Sequence, residues 1–483
     1  MLIETLRCVQ AVAQTRQVAC YLVGGWLRDQ CLERPRAYLN VDLAVPSGAV
    51  SMARAVAEQL QGAFVPLEEA AGCARVVITR AAQRLELDVT DFRGATLEDD
   101  LRRRDFTVNA MAIDLKEWLR DPAHPRPLID PLNGQHALTR RELIACFPGT
   151  FEEDPVRILR AFRFAAQLTF AFDASLGGLM AHAVPSLSRV SGERLRDELI
   201  AIFSTDRAGW AVSGLNGLRA LDVLFPELAQ GRQMDQGAFH HLDVLDHQLE
   251  TVQQCDRILA DYSEFSEPLR QPLSAYCAEE LVERRTRKSL IKLGGLLHDV
   301  GKPASRQIHP DGEIWFIGHE HTGADLAAPI VDRLRLSNRE SQMVCQLVRH
   351  HLRPGFLSRE PQLTRRAIYR FYKDLGDDGP ACLLTWWADR MATRGPRSRL
   401  DQLQQQRARL EELLSPYFFK AEEIVRPRRL IDGYQLMQEL RLTPGPVIGE
   451  LLAAIEEAQA EGRVQSVEDA IGLARERLST RAG

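Results

Sequence analysis

The sequence predicts an α+β protein in which a small mixed sheet with helices forms a head and everything after it is helical. Two patterns carry this. Short apolar or alternating runs, Tyr21-Leu22-Val23, Arg75-Val76-Val77-Ile78 and Leu85-Glu86-Leu87-Asp88-Val89, fall within residues 1–140 and read as strands, because side chains two apart line one face of a sheet. Beyond residue 140 apolar residues recur at helical spacing, beginning with Val156, Leu159, Ala161 and Phe164. A chain of 483 residues also exceeds one typical core, so three or four domains of ~100 to 150 residues are expected. The patterns place them at 1–140 (head), 141–235 (helical connector), 236–395 (helical, with nine of the twelve histidines) and 396–483 (a charged helical tail). The tail is interrupted at Pro444-Gly445-Pro446, since proline cannot continue a helix.

Composition excludes several classes. An apolar share of 45% with 26% charged residues is that of an ordinary globular protein. No run of eighteen apolar residues occurs, and the N-terminal MLIETLRCVQAVAQTRQ carries charges where a signal core must be apolar. A cytoplasmic protein with no membrane segment is expected. The nine cysteines are scattered without a C-x-x-C pair, which fits reduced thiols and argues against zinc. The net charge of -5 would disfavour nucleic acid, but arginines cluster locally, at Arg102-Arg103-Arg104, Arg157 with Arg160 and Arg163, Arg394 with Arg397 and Arg399, and Arg426 with Arg428 and Arg429. Such clusters are the electrostatic footprint of phosphate binding.

The head motifs follow in order. Tyr21 to Val45 reads as a strand, a turn at Gly24-Gly25, a helix carrying Arg28 and Asp29, and a second strand holding Asn40-Val41-Asp42. Positions 40 and 42 share a face of that strand. LRRRDFTVNAMAID (101–114) sets arginines and Asp105 ahead of Asn109 and a short strand, and LIDPLNGQHAL (128–138) contains a turn. FEEDPVRILRAFRFAAQL (151–168) opens a helix with acids and Pro155, as helix N-termini prefer. Asp154, Arg157 and Arg160 fall three apart, on one face of it. SGERLRDEL (191–199) opens another helix, with serine as N-cap.

With these motifs in this order, the chain resembles the class II tRNA nucleotidyltransferase and bacterial poly(A) polymerase family over essentially its whole length. The resemblance implies a polymerase-β-type head that adds CMP or AMP from CTP and ATP to the 3′ end of tRNA. It implies that Asn40 and Asp42 hold Mg²⁺, and that Gly24 and Gly25 with Arg28 lie at the triphosphate. By the same resemblance Arg104, Asp105 and Asn109 position the ribose and phosphates, and Asp154 with Arg157 templates the base. Arg160 and Arg163 would support the phosphates. Such readout has a physical basis: a carboxylate accepts from an exocyclic amine while a guanidinium donates to a ring nitrogen.

Two departures bear on activity. Relatives in this family carry two aspartates where this chain has Asn40 and Asp42. An amide oxygen ligates Mg²⁺ but brings no charge to a site that must hold two divalent ions beside a triphosphate. Weakened transfer is therefore expected unless a neighbour such as Asp88 compensates. Second, CCA-adding relatives insert a flexible loop after the strand ending in Thr90-Asp91-Phe92-Arg93, where this chain has only Gly94-Ala95-Thr96. By resemblance this favours CC addition over complete CCA addition; a poly(A) polymerase remains an alternative.

The histidine-rich region supplies a second chemistry. LGGLLHDVGKP (293–303) pairs His298 with Asp299, and His247, the segment GHEHTGA (318–324), His350-His351 and Asp389 follow or precede at intervals. This order resembles the HD phosphohydrolase domain, which implies a divalent metal of unspecified identity held by His247, His298, Asp299 and Asp389. Imidazole and carboxylate ligands from separate helices suit a metal that activates water against a phosphoester. A second reading of the chain is thus a metal-dependent phosphohydrolase whose head is an RNA- or nucleotide-binding remnant. The tail from Arg426 to Ile471 resembles the RNA-binding C-terminal segment of bacterial relatives.

Overall fold

Tyr21–Val23 (β1), Leu39–Val45 (β2), Ala63–Glu68 (β3), Cys73–Arg80 (β4), Gln83–Asp91 (β5) and Ala112–Asp114 (β6) form one mixed sheet in the order β3-β4-β5-β2-β1-β6. They belong to a computed structural model that describes residues 1–34, 39–80, 83–122, 127–398 and 400–482. Arg399, in one of the arginine clusters, lies outside these. Strands β2 and β5 run parallel, the other neighbours antiparallel. The two-residue repeat sorts their side chains by face. Val41, Leu43 and Val45 of β2 and Leu85, Leu87 and Val89 of β5 are fully buried, and together these six contribute on the order of 10 kcal/mol of apolar burial. Their neighbours carry the polar face, where the register sets Asn40 opposite Glu86 and Asp42 opposite Asp88.

Four helices frame the sheet: Leu2–Thr15 (α1), Gly24–Cys31 (α2), Ala49–Leu60 (α3) and Leu97–Arg102 (α4). Helix α2 starts directly at the end of β1, so its first turn faces Asp42 across the sheet edge. The link from β5 to α4 is tightly tied: the Phe92 N–H donates to the Val45 carbonyl at 2.8 Å, and Thr96 with Asp99 forms a reciprocal capping box.

The chain divides into two compact units, Met1–Val190 and Ser191–Gly483, so the expected connector 141–235 is shared between them. The acidic segment expected to open one helix instead forms a single turn, Thr150–Glu153; Asp154 is extended and the long helix begins at Arg157. The reason is local: Pro155 restrains the residue before it to extended backbone. Unit 2 is built on the helix Arg287–Leu297, buried except for Lys288, against Val244–Asp261, Asn338–His350 and Gly379–Ala392. It is not wholly helical. Two short hairpins, Glu280–Val282 with Arg285–Thr286 and Gln307–Ile308 with Ile314–Trp315, interrupt it, and Glu142–Leu143 pairs with Ala171–Phe172 in unit 1. In the tail, the helix Pro446–Ala460 begins at the predicted break and packs with Leu436, Ala470 and Ala474 in a small core of its own.

Candidate functional site

The Gly24-Gly25 turn is dictated by Asp42. Gly24 has φ +73°, and a Cβ there would lie 2.6 Å from Asp42 Oδ2, so only glycine fits. Gly25 donates its N–H to that oxygen at 3.2 Å, orienting the carboxylate. Beside it, Asn40 donates Nδ2–H to Asp88 Oδ2 at 3.3 Å. Asp88 is gripped by Arg75, at 2.6 Å to Oδ1 and 2.9 Å to Oδ2, and Arg75 also reaches Glu86 at 3.2 Å. The bidentate bond to Asp88 raises the Arg75 pKa further. Asp88 therefore sits where a compensating ligand is needed, but its charge is matched by a guanidinium. The oxygen donors of Asp42 and Asn40 suit a hard cation, with one negative charge fewer than paired carboxylates supply.

A second layer joins the arginine motifs. Arg28, expected on the triphosphate, is 3% exposed; it bonds Asp29 and, at 2.8 Å, Asn109 Oδ1 and stacks over Phe164. Asn109 donates to Asp105 Oδ1 at 3.1 Å, and Arg160 pairs with Asp105 Oδ2 at 2.9 Å. Burial alone would raise the Asp105 pKa, but Arg160, the Asn109 amide and the Phe106 N–H together hold it down at about 2. Arg28, Asn109, Asp105 and Arg160 thus form one chain of contacts between α2 and the helix Arg157–Leu168. Arg104 is bound by Asp100 at 2.8 Å, and Arg163 lies over Phe164, 4.1 Å from its centroid. Arg157 is held by the Thr150 hydroxyl at 2.8 Å with Asp154 3.9 Å away. Arg93, which sequence reasoning passed over, joins this group: burial and the charges of Arg104 and Arg157 lower its pKa. Guanidiniums gathered in this way suit an anion.

In unit 2, His247, His298, Asp299 and Asp389 converge. His247 Nε2 is 2.9 Å from Asp389 Oδ1 and 3.6 Å from Asp299 Oδ2, and His298 Nε2 is 3.1 Å from Asp299 Oδ2. The structure adds His319 and His351, at 3.2 and 3.6 Å from Asp299 Oδ1. Asp299 is thus common to two sets of three ligands, one with His247 and His298, the other with His319 and His351. Of the histidines noted in the sequence, His321 is 68% exposed and His350 is half-buried; successive residues on a helix point 100° apart, and no sequence signal chose between neighbours.

The proton positions test whether these groups fit a metal. Nδ1 of His298, His319 and His351 lies 2.7–2.8 Å from the carbonyls of Gly295, Phe316 and Val348. A carbonyl only accepts, so each Nδ1 carries the proton and Nε2 is the atom turned to the cluster; at His298 burial is outweighed by the Asp299 charge, which raises the pKa. The Nε2 atoms of His319 and His351 face each other at 3.2 Å, and His298 Nε2 is buried against Asp299 Oδ2. Imidazole nitrogens and carboxylate oxygens converging from separate helices are the donors a divalent metal takes, so the donor set fits one. Burial lowers the His351 pKa to about 3, which keeps it neutral. Burial opposes the Asp299 charge, but His298 and Lys302, whose Nζ is 2.6 Å from Oδ2, hold its pKa well below the ordinary value.

Fold and site define a nucleotidyltransferase head fused to a helical body with an HD-type metal cluster. The model of the poly A polymerase head domain matches residues 20–144, the HD domain 244–375, the probable RNA- and SrmB-binding site of polymerase A 170–231, and the putative tRNA nucleotidyltransferase domain 2 384–473. An A-adding tRNA nucleotidyltransferase of Deinococcus radiodurans is 34% identical, with 93% of each chain covered. A CC-adding tRNA nucleotidyltransferase of Thermus thermophilus is 31% identical, covering 93% of this chain and 91% of that one. The chain belongs to the tRNA nucleotidyltransferase family. Among solved structures, an apo CCA-adding enzyme shares its fold at a TM-score of 0.64 and 20% identity, over 98% of this chain and 93% of that one. The Thermotoga maritima CCA-adding enzyme complexed with tRNA does so at 0.61 and 20%, over 98% and 94%. Among the described residues no helix is long and apolar enough to cross a membrane.

Proposed function

We propose that the head appends nucleotides from CTP or ATP to the 3′ end of tRNA. The terminal ribose hydroxyl oxygen bonds to the α-phosphorus as the bond to the β-phosphate bridging oxygen breaks, and pyrophosphate leaves with the electron pair. Asp42 and Asn40 would hold Mg²⁺, which when bound neutralises charge on the triphosphate. Gly25 orients Asp42, Arg104, Arg160 and Arg163 balance the phosphates, and Asp154 with Arg157 reads the base edge. The observation that carries this is the fit of Gly24 against Asp42, with a helix start and its backbone N–H groups beside that carboxylate.

The tied five-residue connection Phe92–Thr96 supports CC addition over complete CCA addition; the A-adding relative at 34% identity favours single-A addition as the second reading. Purified protein incubated with tRNA ending before CCA, or after CC, decides between them. Incorporation on neither substrate would refute transfer by the head. In unit 2, the metal cluster supports a phosphohydrolase, with Asp299 shared between two metal positions. A metal bound there would supply an activated water, and His247, His298, Asp299 and Asp389 would hold it, the carboxylates in their charged form.

A further inference from the structure

Phe92 and Arg93 leave the sheet at the end of β5, and the backbone is fixed there: the Phe92 N–H bonds the Val45 carbonyl, and the Arg93 N–H bonds Asp100 Oδ1 at 3.2 Å. The Arg93 side chain is exposed. Its Nη1 and the Nη2 of buried Arg157 donate to one oxygen, the Arg103 carbonyl, each at 3.4 Å. A single neutral acceptor thus serves two cations. The neighbouring carboxylates are taken, Asp100 Oδ2 by Arg104 at 2.8 and 3.0 Å and Asp105 Oδ2 by Arg160 at 2.9 Å. Among the described residues no carboxylate pairs with the Arg93 guanidinium. An exposed guanidinium with no counter-ion of its own, set beside a second one, is a receptor for phosphate oxygen.

Strand positions say which phosphate. Val23 pairs with Asp42, so the Gly24-Gly25 turn lies on the β1 flank of β2. Arg93 follows β5 on the opposite flank, beyond Val45, which stands three residues past Asp42, or about 10 Å at ~3.3 Å per residue. In nucleotidyl transfer the attacking hydroxyl and the departing pyrophosphate lie roughly in line, on opposite sides of the α-phosphorus. With the triphosphate at the Gly24-Gly25 turn, the acceptor RNA enters from the β5 flank. Its 3′ oxygen belongs at Asp42, and the phosphodiesters preceding it extend away from that carboxylate, toward Arg93. We propose that Arg93, oriented by the Arg103 carbonyl, binds one of the two phosphodiesters nearest the 3′ end of the acceptor RNA. This rests on the nucleotidyl-transfer reading of the head and adds the contact that holds the acceptor strand rather than the incoming nucleotide.

Two RNAs test it on the full-length protein: a fluorescently labelled tRNA ending before CCA, and the same tRNA with its last two internucleotide phosphates replaced by neutral methylphosphonates. Affinity is read from anisotropy without nucleotide, over a range of KCl concentrations. The wild type is expected to bind the neutral-linkage RNA about tenfold more weakly, the loss of one charge-assisted bond. Arg93→Gln, which keeps an N–H for the Arg103 carbonyl, should bind the natural tRNA about tenfold more weakly and no longer distinguish the two RNAs. Its slope of log affinity against log salt should be shallower by ~0.7, the value of one phosphate contact on a single strand. Arg93→Lys, which keeps the charge, should retain the wild-type slope, and CTP affinity of both variants should stay within twofold. Equal discrimination between the RNAs by wild type and Arg93→Gln, an unchanged salt slope, or a loss of CTP affinity in place of RNA affinity overturns the proposal. If the RNA measurements come out as expected but no acceptor is extended, the subsite stands and the transfer reading falls.

Discussion

Replacing Asn40 by aspartate tests how the head manages its missing charge. In the wild type the Asn40 amide donates to Asp88 at 3.3 Å, and Asp88 is already matched by Arg75. Asn40→Asp turns that donor into an anion at the same distance, a repulsion of about 5 kcal/mol at an effective dielectric of ~20. The site is only part-buried, so solvent and Arg75 offset roughly half, and a net loss of about 2 kcal/mol is expected without metal. For a unit of this size that lowers the apparent Tm by ~4 to 8 °C. Magnesium reverses the sign, because the restored pair of aspartates on one strand face binds the ion in the folded state only. At a hundredfold excess over Kd this returns about 2.7 kcal/mol. Calorimetry in EDTA and then in 10 mM Mg²⁺, on the scale of roughly 0.1 mM affinities expected of such sites, reads both effects. Alongside, the Mg²⁺ concentration for half-maximal nucleotide incorporation should fall about tenfold. If Asn40→Asp melts with the wild type in EDTA, or gains no more from Mg²⁺ than the wild type does, the assignment of this face as the metal site is refuted.

Gly24→Ala forces a Cβ to 2.6 Å from Asp42 Oδ2 at a positive φ, so incorporation should drop about a hundredfold with a stability loss of ~1 to 3 kcal/mol, seen by single-turnover assay and denaturation; full activity would contradict the placement of Asp42. Asp105, held at about 2, contributes stability that is present above about pH 4 and lost as pH falls through 2, of order 2 kcal/mol. Asp105→Asn should therefore be less stable at neutral pH yet flatter between pH 4 and 2, and a parallel pH profile would count against the pairing with Arg160. His351→Ala should cut bound metal in unit 2 from two equivalents per chain to one, measured by elemental analysis; unchanged stoichiometry would exclude the second metal position.

Much of the head was legible because its logic is local. The strands at Tyr21–Val23, Cys73–Arg80 and Gln83–Asp91 follow from a two-residue repeat, and the family motifs lie within single turns or strands. The His298-Asp299 pair was equally readable, since its ligands are adjacent. What was not legible lies across elements. Arg75 neutralises Asp88 because β4 and β5 pair as antiparallel neighbours, and no pattern within either strand announces which charges will meet. Arg28 lies over Phe164 and bonds Asn109, 81 residues away, pairings that no local pattern announces. His319 and His351 could not be preferred over His321 and His350, because selection between adjacent helical residues depends on which face the neighbouring helices cover.

The sequence alone determined the α+β order, the turn at Gly24-Gly25, the shared face of positions 40 and 42, and the HD pair, since each rests on periodicity or backbone freedom within a few residues. The tertiary structure alone decided that Asp88 is spoken for by a guanidinium, that Arg28 pairs with Asn109, and that Asp299 is common to two ligand sets. Coulombic and burial energies depend on distances through space, and those are set only when strands and helices far apart in the chain pack together.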